Sequence, residues 1–166
     1  MPMPHPSRLA RVSLWVCRSD PVTDAAGPSE IMVHATCVAH SGRAVLIRGA
    51  AGRGKSGLAL QLLALGADLV ADDRTRLWRE NAQVMAAAPD TIVGQIEARG
   101  MGILHLPAIG AQPLALIVDL DHDEDERLPP LRRDRILGVA LPSVRKSSFP
   151  HFPAALLLYL KHGRLT

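Results

Sequence analysis

The chain has 166 residues, enough for one domain with a single sizeable core. Hydrophobic residues make up 48% but aromatics only 3%, so the core has to be built from Leu, Val, Ile and Ala, while thirteen Gly and thirteen Pro imply a surface rich in turns. A net charge of +3 without a basic stripe and interleaved aromatics argues against nucleic acid, no segment approaches a membrane span, and two cysteines outside any C-x-x-C pair argue against a disulfide or zinc scaffold and fit a reducing cytoplasm.

Residues 1–28 read as an N-terminal extension, Pro-rich over its first ten positions and partly disordered. Arg8 and Arg11 precede an apolar run, Val12–Cys17, too short for a signal core and read as an edge strand. Ser19–Ser29 reads as a loop. Residues 29–166 then form one domain. Ile31–Ala39 is expected to be a strand, His40–Arg43 a turn and Ala44–Ile47 a buried strand, together a hairpin.

The hairpin feeds Gly49-Ala50-Ala51-Gly52-Arg53-Gly54-Lys55-Ser56, which has the form G-x-x-x-x-G-K-[ST]. Apolar residues at Leu58, Leu62 and Leu65 predict a helix from Ser56, capped near Gly66. Strand, glycine-rich turn and helix are the context that this phosphate-binding motif requires. Gly49, Gly52 and Gly54 let the backbone curl so that its N–H groups reach phosphate oxygens, and the helix N-terminus adds further donors. Lys55 is suited to bridge terminal phosphates and Ser56 to offer its hydroxyl to Mg²⁺.

Asp68–Ala71 is the next predicted strand and delivers Asp72 and Asp73 at its end. Adjacent ionised carboxylates repel unless a cation or a shared proton intervenes, so one member suits a metal and the other suits a base. Thr75–Trp78 and Gln83–Ala87 read as a hairpin turning at Glu80-Asn81, and Pro89–Ile92 as a short helical turn. Gly94–Leu104 carries Glu97 and Arg99 among glycines, a tight backbone path around charged groups. Leu114–Leu120 is a strongly apolar strand, and most of the acidic run Asp119–Glu126 reads as a solvated loop. Ile136–Leu141 is predicted as a strand, Pro142–Pro153 as an exposed loop and Ala154–Lys161 as the closing helix. His34 lies one strand from the glycine-rich loop, although a lone histidine on a strand is more often structural.

These residues carry a family resemblance. His34 through Ser56, Leu69–Asp73, Ile96–Ile103 and the strand Leu116–Leu120 followed by Arg127-Leu128 resemble the catalytic domain of HPr kinase/phosphorylase. Ile96-Glu97-Ala98-Arg99-Gly100-Met101-Gly102-Ile103 is similar to that family's signature I-E-[VAI]-R-G-[LM]-G-I, and the likeness runs over about residues 31 to 146. It implies a single α/β domain with a P-loop, a mixed sheet, a hairpin before the loop strand, a helix after it and a C-terminal helix. It implies ATP-dependent phosphorylation of a serine on the phosphocarrier HPr of the bacterial phosphotransferase system, and removal of that phosphate by phosphorolysis. Gly49 to Ser56 would hold ATP phosphates, and Ser56 and Glu97 would hold Mg²⁺. Asp73 would be the base with Asp72 beside it, and Lys55, His34 and Arg127 would complete the active site. Glu97, Arg99, Gly100 and Gly102 would form the signature loop, and a homo-hexamer is implied.

The chain departs from the family pattern in having Ala51 where Ser is usual and Gly57 where an acidic residue often follows the Lys-Ser pair. It resembles the short alphaproteobacterial form, without the family's N-terminal domain. Pro142, Val144, Arg145 and Lys146 stand where longer members have P-V-R-P-G-R, a segment tied to dephosphorylation and partner contact, so the kinase direction is the better supported. A non-catalytic nucleotide-sensing module that binds a protein partner is a second reading. A small-molecule kinase would need an Arg-rich lid, and only Arg132, Arg133 and Arg135 offer one.

Overall fold

A computed structural model describes residues 29–164; the readings for residues 1–28 lie outside the described residues. The first strand, β1 (Glu30–Val33), and the second, β2 (Ala35–His40), are separated at His34, where one continuous strand was expected. The reason lies in their partners. β1 pairs antiparallel with β5 (Thr75–Glu80), whereas β2 pairs with β3 (Arg43–Arg48) and β4 (Asp68–Ala71), so the chain has to bend between them. The β2–β3 hairpin turns on Ser41 and Gly42, both at positive φ, the conformation a two-residue hairpin turn requires.

Gly49–Gly54 follows β3 and opens α1 (Lys55–Ala64). Gly66, at φ 98°, ends the helix and its N–H returns to Leu63. β5 and β6 (Gln83–Ala87) form the expected hairpin, turning at Asn81, one residue later than predicted. A 3-10 turn at Asp90–Ile92 leads to β7 (Gln95–Ala98) and β8 (Gly102–His105), a separate two-stranded hairpin.

β9 (Gln112–Asp123) is the hub. It runs parallel to β3 on one side and to β11 (Val139–Lys146) on the other, and its start pairs with β6. The result is a mixed nine-stranded sheet with the path β1-β5-β6-β9-β3-β2-β4, extended through β11 to β10 (Arg132–Ile136). Three expectations need correction here. β9 carries the strand on through Asp123, so more than half of the acidic run is sheet. The predicted strand Ile136–Leu141 is interrupted by a hairpin turn at Leu137-Gly138, both at positive φ, so that Ile136 ends β10 and Val139–Leu141 open β11. Pro142–Lys146 belongs to β11 and is not an exposed loop, because parallel pairing with β9 continues through Arg145. Its polar residues hid this strand.

Side chains alternate across the sheet, so β3 is buried on both faces. Val45 and Ile47 join Leu116 and Val118 under α1 and under α2 (Phe152–His162), with Leu58, Leu62, Leu156 and Leu160. Ala44 and Leu46 face the other way, against Val70, Leu77, Val84 and Ile117. Among the described residues no helix is long and apolar enough to cross a membrane. Leu116 is fully buried at the centre of the helix-side core. Leu116→Ala is expected to lower stability by about 2–5 kcal/mol, whereas Leu158→Ala, on the exposed side of α2, stays within about 0.5 kcal/mol. Urea unfolding of both variants measures the contrast.

Candidate functional site

The C-terminal ends of β3 and β4, the N-terminus of α1 and the β7–β8 hairpin meet around one cleft of about 510 Å³. His34, Lys55, Ser56, Asp73, Glu97 and Arg99 all line it. The sequence-predicted residues from three separate stretches therefore come together.

Lys55 is buried and folded back on the loop. Its ammonium donates to Gly49 O at 2.8 Å and Ala50 O at 3.2 Å, and lies 3.0 Å from His34 Nε2. An ammonium only donates, so Nε2 accepts and the imidazole proton sits on Nδ1. That nitrogen faces Asp73 Oδ1 at 3.2 Å. Lysine, histidine and carboxylate thus form one chain of contacts.

The two aspartates have opposite surroundings. Asp72 is buried: Oδ1 accepts from Thr36 at 2.7 Å and Ser56 Oγ at 2.9 Å, and Oδ2 accepts the Glu97 N–H at 3.0 Å. Asp73 is exposed and sits at φ 62°, with the Arg74 N–H closing on Asp72 O at 2.7 Å. That i→i+2 bond defines a γ-turn of the rare positive-φ kind, a conformation more tolerable for Asp than for most residues. Strain of this sort clusters at functional sites. The turn swings Asp73 outward while Asp72 stays in.

Ser56 gives its proton to Asp72, which leaves its oxygen lone pairs free, and the exposed Glu97 lines the same cleft. An oxygen donor set of this kind fits Mg²⁺. Glu97 and Arg99 are held by the β7–β8 turn, where the Met101 N–H bonds to Ala98 O and Gly100 and Gly102 take positive φ.

Asp121 was missed, because it lies in the run read as solvated. Its Oδ1 accepts the Ala50 N–H at 2.9 Å and stands 3.3 Å from Arg53 Nε, while its carbonyl accepts from Arg53 at 2.6 Å. The glycine-rich loop is pinned to β9 from outside. Just before the loop, Arg48 spans Asp119 at 3.1 Å and Asp134 at 2.6 Å. The only signal for these contacts was a polar strand end beside an apolar strand.

Burial pushes the Asp119 carboxyl upward, but the Asp121 N–H, Arg48 and His122 outweigh it and hold the group below its ordinary value. A lowered folded pKa stabilises above the ordinary value, about 3.9, and that contribution is lost as pH falls through the folded one.

Arg127 stands apart. It lines a different cavity with Val144 and Arg145, while Lys146 lies in a third with Gly54 and Gly57; Pro142 pairs with Arg133 in the β10–β11 ladder.

A mixed α/β domain with a glycine-rich strand-to-helix loop, a carboxylate pair and a glycine-edged hairpin around one cleft is the class defined by fold and site. The model of the HPr Serine kinase C-terminal domain matches residues 28–130, and the chain belongs to that family. It is 30% identical over 133 residues to an HPr kinase/phosphorylase of Clostridium perfringens, covering 69% of this chain and 43% of that protein. To the Variovorax paradoxus HPr kinase/phosphorylase it is 36% identical over 118 residues, 62% of this chain and 37% of the relative. The chain thus spans less than half the length of these relatives. The structure of the HPr(Ser) kinase/phosphatase from Coxiella burnetii superposes with a TM-score of 0.67 at 26% identity, over 79% of this chain and 94% of that one.

Two outcomes follow from the carboxylates. Asp72→Ala strands three donors and is expected to cost about 1–3 kcal/mol for each that stays buried and unpaired; thermal unfolding checks it. Asp119→Asn is expected to destabilise at about pH 7, with the gap to wild type narrowing toward about pH 2; urea unfolding at both values reads the difference.

Proposed function

We propose that this chain transfers the terminal phosphoryl group of ATP to a serine hydroxyl of an HPr-type phosphocarrier protein. One observation carries the reading. An exposed carboxylate, Asp73, stands at the rim of the glycine-rich loop, 3.2 Å from a histidine whose other nitrogen is 3.0 Å from Lys55. Phosphoryl transfer asks little covalent help of a protein; it needs an aligned nucleophile and neutralised charge.

In this reading the N–H groups of Gly52 to Ser56 bind the nucleotide phosphates, and Lys55 exchanges carbonyl partners for a phosphate oxygen. Asp73 accepts the serine proton. His34, donating from Nδ1, orients the carboxylate toward the cleft and couples it to the charge of Lys55. Asp72 is fully engaged by its three donors, which favours Asp73 as the base. Ser56 and Glu97 would hold Mg²⁺, which supplies charge neutralisation when bound. Arg99 lines the cleft and adds positive charge there. The same groups serve the reverse transfer to inorganic phosphate, the direction that the phosphorylase in the relatives' names describes.

Single-turnover transfer from labelled ATP to a purified HPr-type protein tests the proposal. Asp73→Asn keeps the shape and tolerates positive φ, but it does not take up the proton. It is expected to slow transfer by about 10² to 10⁴-fold with ATP affinity little changed. Transfer at the wild-type rate removes the base assignment. Binding of ATP by the wild type without any transfer makes the chain a nucleotide-sensing module instead.

A further inference from the structure

A cavity of about 550 Å³ lies on the far side of the glycine-rich loop from Asp73. It shares Gly54 and Gly57 with the cleft described above, and His34, Asp73 and Glu97 do not line it. Its outer wall is the segment between β11 and α2, with Ser147 and Phe149, and the first residue of α2, Phe152, and its inner wall is Leu58 and Gln61 of α1. Leu58 and Gln61 are three residues apart and so share one helix face.

Two features of this cavity have no account in the fold. The chain has only two phenylalanines and both line it, but whereas Phe152 packs against the helix-side core, Phe149 does not. Phe149 is 61% exposed, its ring stacked on His151 with centroids 5.4 Å apart and planes inclined by 18°. His151 lines the neighbouring cavity and Phe149 lines both, so the Phe149 ring is the aromatic surface that this groove offers to another ring. The second feature is Gly57. It is helical and has no positive φ, and a Cβ built there meets nothing within 4 Å. Glycine inside a helix is less stable than alanine, so neither conformation nor packing calls for it. What it provides is open space at the junction of the two cavities.

We propose that this groove takes the nucleoside end of the nucleotide, the ribose passing over Gly57 and the base lying against Phe149 within reach of the Gln61 amide. The inference rests on the nucleotide reading of the loop and adds to it the direction of the bound molecule. With the reacting phosphoryl group at Asp73, the remainder of the nucleotide leaves the loop at the opposite end, and Gly54 and Gly57 are the residues common to both cavities. Stacking on an aromatic ring favours any base, and Gln61 carries both a donor and an acceptor for its edge.

The test compares two ligands on the full chain with Mg²⁺ present: ATP, and inorganic tripolyphosphate, which has the charge but no nucleoside. Titration calorimetry is expected to show ATP binding the wild type more tightly. Phe149→Ala is expected to weaken ATP by about 10-fold, within the range for loss of one base–aromatic stack, and to leave tripolyphosphate unchanged. Gly57→Leu, which fills the junction without entering the core, is expected to produce the same selective loss, with helix content intact by circular dichroism. Equal losses for both ligands, or ATP affinity untouched in both variants, overturns the groove assignment while the loop reading stands. A wild-type chain that binds neither ligand overturns the loop reading and this proposal together.

Discussion

The buried carboxylate of Asp72 is the contact on which the site depends. Its oxygens take donors from β2, from the first turn of α1 and from the backbone of β7, three elements far apart in the chain. A buried carboxylate is tolerated only when its oxygens are satisfied, so each of these elements is held in place by the requirement to supply a donor. The consequence reaches beyond stability. Fixing the Ser56 hydroxyl sets the loop's last residue, fixing the Glu97 N–H sets the hairpin that carries Glu97 and Arg99, and anchoring Asp72 leaves the next residue to turn outward.

The loop itself is held from two sides. Inside, Lys55 closes on the carbonyls of Gly49 and Ala50. Outside, Asp121 takes the Ala50 N–H and pairs with Arg53, and Arg48 binds β3 to β9 and β10 through two carboxylates. A loop that must present N–H groups to a highly charged ligand gains from such bracing, because less conformational freedom is left to lose on binding. The Asp121–Arg53 pair neutralises its own charge, so the anchoring carboxylate adds little repulsion near the cleft.

Membership in the HPr Serine kinase C-terminal domain family and the fold shared with the Coxiella protein give this geometry its context. The residues matching the family motifs divide between cavities. Lys55, Ser56, Asp73, Glu97 and His34 share the cleft, while Arg127 and Arg145 share another. Arg127 lies on the segment beyond Asp123, which runs beside the end of β11, where the Glu124 N–H bonds to Lys146 O at 2.7 Å, and on into β10.

What the sequence by itself determined is local. The glycine spacing and the flanking apolar runs specify strand, loop and helix from Arg43 to Ala64, the small turn residues at Ser41-Gly42 and Asn81 specify hairpins, and an apolar strand ending in Asp-Asp specifies a carboxylate pair at a strand end. These follow from backbone preference and periodicity within a few residues. The tertiary structure decided the rest: the bend at His34, the outward turn of Asp73 against the inward Asp72, the strand character of Asp119–Asp123 and Pro142–Lys146, and the capping of the loop by Asp121. Each depends on a partner dozens of residues away. A charged residue at a strand end has the same local pattern whether it faces water or a backbone N–H on another element, and only the folded chain decides between the two.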